Sequence, residues 1–277
     1  MVNMNIVQSI VESWAYEGAT KHSFDELLGW IQELNKTVEV SITKNFLEDS
    51  SFWFYDKSEG CVRNQNNSFF QIFGIRQSLE NKVIEQPIIL QNEIGYLGIL
   101  CKEFDGVLYF LMQAKIEPGN INKVQISPTI QATKSNFTQK HGGKQPAYLK
   151  YFLEANKHTV IVDQIQSEQS ARFYQKRNRN IILKLDEDID ILPNYRWMTL
   201  KQIKQLMRIN NLVNMDTRTV LSCIPFNVDR SDTELLASIE EKFRDKTLYR
   251  SIFIGNHENL FPQIFQVVNN YKMFKQS

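Results

Sequence analysis

Four cations stand close together at Arg172, Lys176, Arg177 and Arg179 within the run 171–180. Guanidinium forks match phosphate oxygens, and Asn178 and Asn180 add directional donors, so the run is a candidate anion site. It reads equally as a solvated helix face paired with Asp163, Glu168 and the acidic stretch 186–190. His141 precedes Gly142-Gly143. Backbone can approach a ligand closely there, and an imidazole titrates near neutral pH. A lone loop histidine is also an ordinary surface residue. Glu117 precedes Pro118-Gly119 and lies at a turn, either as a carboxylate base or as a turn residue. Lys115 is suited to polarise a carbonyl or to hold a phosphate.

No generic catalytic signature accompanies them: the chain has no Walker loop, G-x-G-x-x-G, G-x-S-x-G or H-E-x-x-H. The four histidines lack metal-ligand spacing, so no metal is expected. Cys61, Cys101 and Cys223 share no metal-like spacing, and an odd count argues for free thiols in a reducing cytosol. The N-terminus carries no basic region ahead of an apolar run, and no apolar stretch reaches the ~20 residues that span a bilayer. A soluble, cytoplasmic protein is expected. The 277 residues carry a net charge of +1, so neither nucleic acid nor an anionic membrane is the expected partner. A hydrophobic share of 42% is enough to build a core.

The elements that must position these residues are partly visible. Val7, Ile10, Val11 and Trp14 recur at helical spacing, and Ser23 with Glu26 forms a capping box before a second amphipathic helix. Val38, Val40 and Ile42 alternate like a half-buried strand, and Phe52–Tyr55 reads as core or interface. From 68 to 113 strand follows strand, at 69–75, 88–91, 94–101 and 107–113, with Asp105-Gly106 as a hairpin turn. Gly74, Gly95 and Gly98 inside these runs suggest bulges or close approach. The pattern is mostly antiparallel and argues against a Rossmann-type domain. The polar segment 114–147 reads as site-building, with short strands hidden in it. Beyond it, 148–153 is expected to be helical, 159–163 strand, 167–176 helical and 181–185 strand. Thr199 with Gln202 caps a further helix, and Ser231 with Glu234 opens a helical tail.

Taken in order, the blocks Gln86-Pro87-Ile88-Ile89, Gly95–Leu100, Phe110–Lys115, Glu117–Asn120, Ser127–Thr133, Ser135-Asn136, His141–Gly143, Gln166–Glu168, Arg172-Phe173, Lys176–Asn180 and Asn214–Ser222 strongly resemble the NDP-hexose 2,3-dehydratase family of deoxysugar biosynthesis. The resemblance covers roughly 68–225, with a weaker echo in the N-terminal helices. It implies an α+β fold, a Nudix-hydrolase-like mixed sheet flanked by helices. The implied organisation is a lead-in of helices and a strand over 1–67, the module over 68–225 and a helical tail over 226–277 as a candidate dimerising element. The glutamate-rich Nudix catalytic box is absent, so diphosphate hydrolysis is not expected.

The implied reaction removes water across C2 and C3 of an NDP-4-keto-6-deoxyhexose, typically the dTDP-linked 4-keto-6-deoxyglucose, with no cofactor. His141 is the leading proton-transfer candidate and Glu117 its rival, with Lys115 or Asn120 donating to the enolate oxygen. Arg172, Lys176, Arg177 and Arg179 are diphosphate candidates. Ser127, Thr129, Gln131, Thr133, Ser135, Asn136 and Asn178 are candidates for sugar and base recognition. Family members commonly carry two such modules in tandem, so a single module is expected to pair as a homodimer. The alternative is a non-catalytic module that only binds the nucleotide sugar.

Overall fold

A computed structural model of the chain describes residues 4–133 and 145–224, with Ala237 and Glu241 as two further helical positions. The helices are α1 (Met4–Ala15), α2 (Phe24–Thr37), α3 (Leu149–Leu153), α4 (Leu200–Leu206) and α5 (Met215–Ser222). The strands are β1 (Trp53–Asp56), β2 (Cys61–Asn64), β3 (Gln71–Leu79), β4 (Lys82–Leu90), β5 (Gly95–Phe104), β6 (Val107–Ile116), β7 (Val124–Ser127), β8 (Ile130–Ala132), β9 (Thr159–Ser167), β10 (Phe173–Tyr174), β11 (Arg177–Leu185) and β12 (Tyr195–Thr199). They build a small sheet in the order β1-β2-β3-β4-β10 and a large one in the order β12-β6-β5-β11-β9, with β7 on β6 and β8 on β5. The pairs β10–β4 and β11–β5 are parallel, which makes both sheets mixed and the class α+β. Among the described residues no helix is long and apolar enough to cross a membrane.

Strands β5 and β6 meet through Asp105 and Gly106, both with positive φ, as a two-residue hairpin requires. They pair only as far as Leu100 and Leu111, and then fork. Beyond the fork the start of β5 takes β8 and the end of β6 takes β7. Thr129 sits in the crotch, fully buried. Its hydroxyl accepts the Leu100 N–H at 2.9 Å and donates to the Leu111 carbonyl at 2.5 Å. One side chain thus satisfies both backbone groups that the fork would otherwise orphan.

The large sheet is apolar on both faces, as a central sheet covered on both sides must be. One face packs Ile99, Phe110 and Met112 against α1, α2, α4 and α5 through Ile10, Ile31, Ile203 and Val220. The other packs Leu100, Leu111, Ile181 and Trp197 against Leu149 and Phe152 of α3. Gly98 makes that second contact possible, because a Cβ there would lie 2.2 Å from Phe152 Cε1. Gly95 is approached by the Ala132 carbonyl, whereas Gly74 has open space around it.

Both capping boxes ahead of α2 and α4 form as expected. Four local expectations are corrected. Residues 38–42 form no strand, because no partner strand lies beside them, and Ile42 is 56% exposed. The Phe52–Tyr55 cluster is not core. It opens an exposed hairpin in which Trp53 stacks on Phe70 at 4.7 Å and Tyr55 faces solvent. Residues 167–176 are not helical: β9 runs to Ser167, a turn follows, and β10 pairs with β4. Strand β11 starts at Arg177, because its pairing with β5 and β9 extends to its first residues. The tail expected over 226–277 lies outside the described residues apart from Ala237 and Glu241.

Candidate active site

The open mouth of the fork holds a cleft of ≈ 280 Å³. Its walls come from the start of β5 (Gly95, Tyr96, Leu97), from Ala132 and Thr133, and from Gln91 and Phe173 at the edge of the small sheet. The lysines and carboxylic acids Lys115, Glu117, Glu168, Lys176 and Asp216 converge on it. Two smaller cavities of ≈ 230 Å³ adjoin it. One shares Lys115 and Gln131, and the other shares Leu97, Glu168, Asn178 and Asp216.

The polar groups form a relay anchored on the start of α5. Asn214 caps that helix, its Oδ1 accepting the Thr217 N–H at 2.8 Å. Its Nδ2 donates to Ser127 Oγ at 3.0 Å and to Gln131 Oε1 at 3.4 Å. Gln131 Nε2 in turn donates to Glu117 Oε1 at 3.2 Å, and Glu117 forms an ion pair with Lys115 at 3.0 Å. Across the cleft, Asn178 Nδ2 donates to Glu168 Oε2 at 2.7 Å. Lys176 is 5% exposed, with its ammonium donating to the Glu93 carbonyl. Burial holds the Lys176 pKa below the usual lysine range, against the opposing pull of Glu168 and Glu93. Asp216, in the first turn of α5, shows the reverse effect. Burial first, and then the negative charges of Glu168 and Glu117, push its carboxyl up to about 6, with Lys115 opposing. The cleft therefore combines an ammonium donor with carboxylates in different states of engagement, the equipment of proton transfer beside a carbonyl.

The family model for NDP-hexose 2,3-dehydratase matches residues 24–224. The chain belongs to this family. It is 49% identical over 208 residues to the dTDP-4-dehydro-6-deoxy-alpha-D-glucopyranose 2,3-dehydratase of Saccharopolyspora spinosa, covering 74% of this chain and 42% of the relative. It is 40% identical over 210 residues to the protein of the same name from Amycolatopsis orientalis, covering 73% of this chain and 45% of that one. A third of that name, from Streptomyces violaceoruber, is 43% identical over 200 residues, covering 71% and 45%. The chain spans a little under half the length of these curated relatives. Among solved structures, a C. elegans Ap4A hydrolase aligns with a TM-score of 0.30 and 13% identity, over 48% of this chain and 95% of the hydrolase. That likeness is too slight to bear on the fold.

In this NDP-hexose 2,3-dehydratase family member the fork brings together Lys115, Glu117, Gln131, Thr133, Lys176 and Asn178. Three other candidates brace the cleft from behind. Asn120 Nδ2 spans the Lys115–Lys123 turn, donating to the Lys123 carbonyl at 3.1 Å. Ser127 accepts from Asn214, and the Thr129 hydroxyl is committed to the crotch. Arg172, Arg177 and Arg179 do not line the cleft. Strand alternation sends Arg177 and Arg179 to the face opposite Asn178 and Asn180. Arg179 is held there by both Asp163 oxygens at 2.6 Å and by the Tyr96 hydroxyl at 3.0 Å. The helix expected over 167–176, which would have held Arg172 and Lys176, does not form. Ser135, Asn136 and His141 lie outside the described residues.

Asp216, Glu168 and Asn214 stand within blocks that carry the family resemblance, yet spacing alone marks none of them as functional. The one local signal is Asn214 two residues ahead of Asp216 at a helix start, which reads first as capping. What distinguishes Asp216 is its solvation, and that comes from groups far away in the chain.

Proposed function

We propose that the chain dehydrates an NDP-4-keto-6-deoxyhexose across C2 and C3, with dTDP-4-keto-6-deoxyglucose as substrate, giving the 3,4-diketo-2,6-dideoxy sugar nucleotide in deoxysugar biosynthesis. Relatives of that activity at 40–49% identity support the substrate class. The observation that carries the reading is the cleft, where Lys115 and three carboxylates converge.

The 4-keto group acidifies the C3 proton. A base removes it, and the C–H electrons pass into an enolate whose charge rests on O4. The enolate then expels the C2 hydroxyl, which leaves as water once protonated. The resulting enol moves its O3 proton to C2 and becomes the diketone. Carbon oxidation levels balance within the sugar, so the sequence of steps requires no redox cofactor. In this reading Lys115 donates to O4, its ammonium paired with Glu117, which in turn accepts from Gln131. The Asn120 amide already spans its own turn, which leaves Lys115 the better enolate donor of the two. Lys176 offers a charge toward the diphosphate. A cytoplasmic location suits the free thiols of Cys61, Cys101 and Cys223.

Purified chain supplied with dTDP-4-keto-6-deoxyglucose is expected to yield the diketo sugar, trapped by a coupled reductase. Absence of trapped product would overturn the dehydration. One observation favours a second reading, a module that only binds nucleotide sugar: the chain aligns with only 42–45% of its relatives' length. Calorimetric dTDP binding without turnover would establish that reading. The homodimer belongs to the first reading, and a monomer by light scattering with full activity would refute it.

A further inference from the structure

We propose that Asp216 is the catalytic base, taking the C3 proton of the sugar and returning it to the departing C2 hydroxyl. The inference rests on the dehydration reading and assigns its central step to one side chain. Asp216 lines both the main cleft and the adjoining cavity on the α5 side. Residues on either side of it are anchored to β7. The Asn214 N–H donates to the Ile126 carbonyl at 2.9 Å, and the Thr217 hydroxyl donates to the same carbonyl at 3.3 Å.

The competing carboxylates are already engaged. Glu117 is paired with Lys115 and accepts from Gln131, and Glu168 accepts from Asn178 and from the Gln169 N–H at 3.1 Å. A carboxylate whose oxygens already accept hydrogen bonds has fewer lone pairs free to take a proton. Asp216 accepts no hydrogen bond and forms no ion pair among the described residues. The charged groups facing it are Glu117 and Lys115 at the end of β6 and Glu168 after β9. The cavity it shares with Asn180 holds a further sign of a missing partner. Asn180 is fully buried, and its Oδ1 has no hydrogen bond among the described residues, an acceptor that a sugar hydroxyl would satisfy. Because burial and the two glutamates hold Asp216 near 6, it is ionised at neutral pH yet more basic than an ordinary carboxylate.

The balance closes in one cycle. The Asp216 carboxylate gains the C3 proton as the enolate forms, and loses it to the C2 oxygen as the C–O bond breaks. Water leaves and the carboxylate is restored.

The test compares wild type with Asp216→Asn and Asp216→Glu on dTDP-4-keto-6-deoxyglucose, alongside dTDP calorimetry and thermal unfolding. The Asn variant is expected to lose about a thousandfold in kcat while keeping dTDP affinity and a Tm no lower than wild type. The Glu variant, with its carboxylate on a longer arm, is expected to recover part of that loss. In wild type kcat/KM is expected to rise with pH through about 6, and the Asn variant is expected to lose this limb. An Asn variant within tenfold of wild type, equal rates in both variants, or a limb that persists without the carboxylate would overturn the assignment and leave the dehydration standing. A wild-type chain without turnover removes the dehydration and this role together.

Discussion

Asp216 and Arg179 are opposite cases of a charged side chain placed by its surroundings. Asp216 keeps its proton to a higher pH in the folded chain than in the unfolded one, about 6 against the ordinary 3.8. The folded state therefore binds more protons across that window, and stability falls as pH rises from about 4 to about 6. The cost at neutral pH is at most about 3 kcal/mol. Asp216→Asn, which removes the charge, is expected to stabilise the chain at pH 7.5 by about 1–2 kcal/mol and to flatten this pH dependence, both read by thermal unfolding. A gain in stability with a loss of turnover is the signature of a group held in place for chemistry. Arg179 is satisfied by Asp163 and Tyr96 in a half-exposed setting. Arg179→Gln is expected to cost about 0–1 kcal/mol and to leave dTDP affinity within threefold by calorimetry.

At the scale of elements, the fork between β5 and β6 makes the site, and Thr129 makes the fork. Thr129→Val keeps the volume but removes the hydroxyl, leaving the Leu100 N–H and the Leu111 carbonyl without their partner in a fully buried crotch. A loss of about 2–3 kcal/mol in denaturant unfolding is expected. Gly98 is the other hinge of the arrangement. Gly98→Ala drives a methyl into Phe152 and Ile130, and a cost of about 1–3 kcal/mol is expected as α3 is displaced from the sheet.

For the whole molecule, the N-terminal helices are part of the central core. Ile10, Val11, Leu27 and Ile31 share one cluster with Ile99, Phe110 and Met112 of the large sheet. The Ser13 hydroxyl ties α1 to the Leu108 carbonyl and to the Leu200 N–H. The family match likewise begins at residue 24, within α2 rather than at the first strand. Deleting residues 1–37 is expected to abolish cooperative thermal unfolding and dTDP binding together, because the part of the sheet face that α1 and α2 cover would be left bare.

Local structure was legible wherever neighbours along the chain supply the interaction. The boxes Ser23/Glu26 and Thr199/Gln202 close within four residues, and Asp105-Gly106 meets the backbone demand of its turn unaided. Lys115 and Glu117 stood out by residue type beside the Pro118-Gly119 turn, and Gln131 by its place in a block that marks the family. Long-range pairing decided the rest. Residues 38–42 alternate like a strand but find no partner, whereas 173–174 and the charged start of β11 at 177–179 become strands because β4, β5 and β9 offer them edges. That pairing split the cation run between two faces and left only Lys176 in the cleft. The amino-acid sequence by itself determined the family, the helix starts and the hairpin, all set by residue type and short spacing. Only the tertiary structure decided which carboxylate is poised as a base. The low solvation of Asp216 and the charges of Glu117 and Glu168 reach it through space from strands distant in the chain.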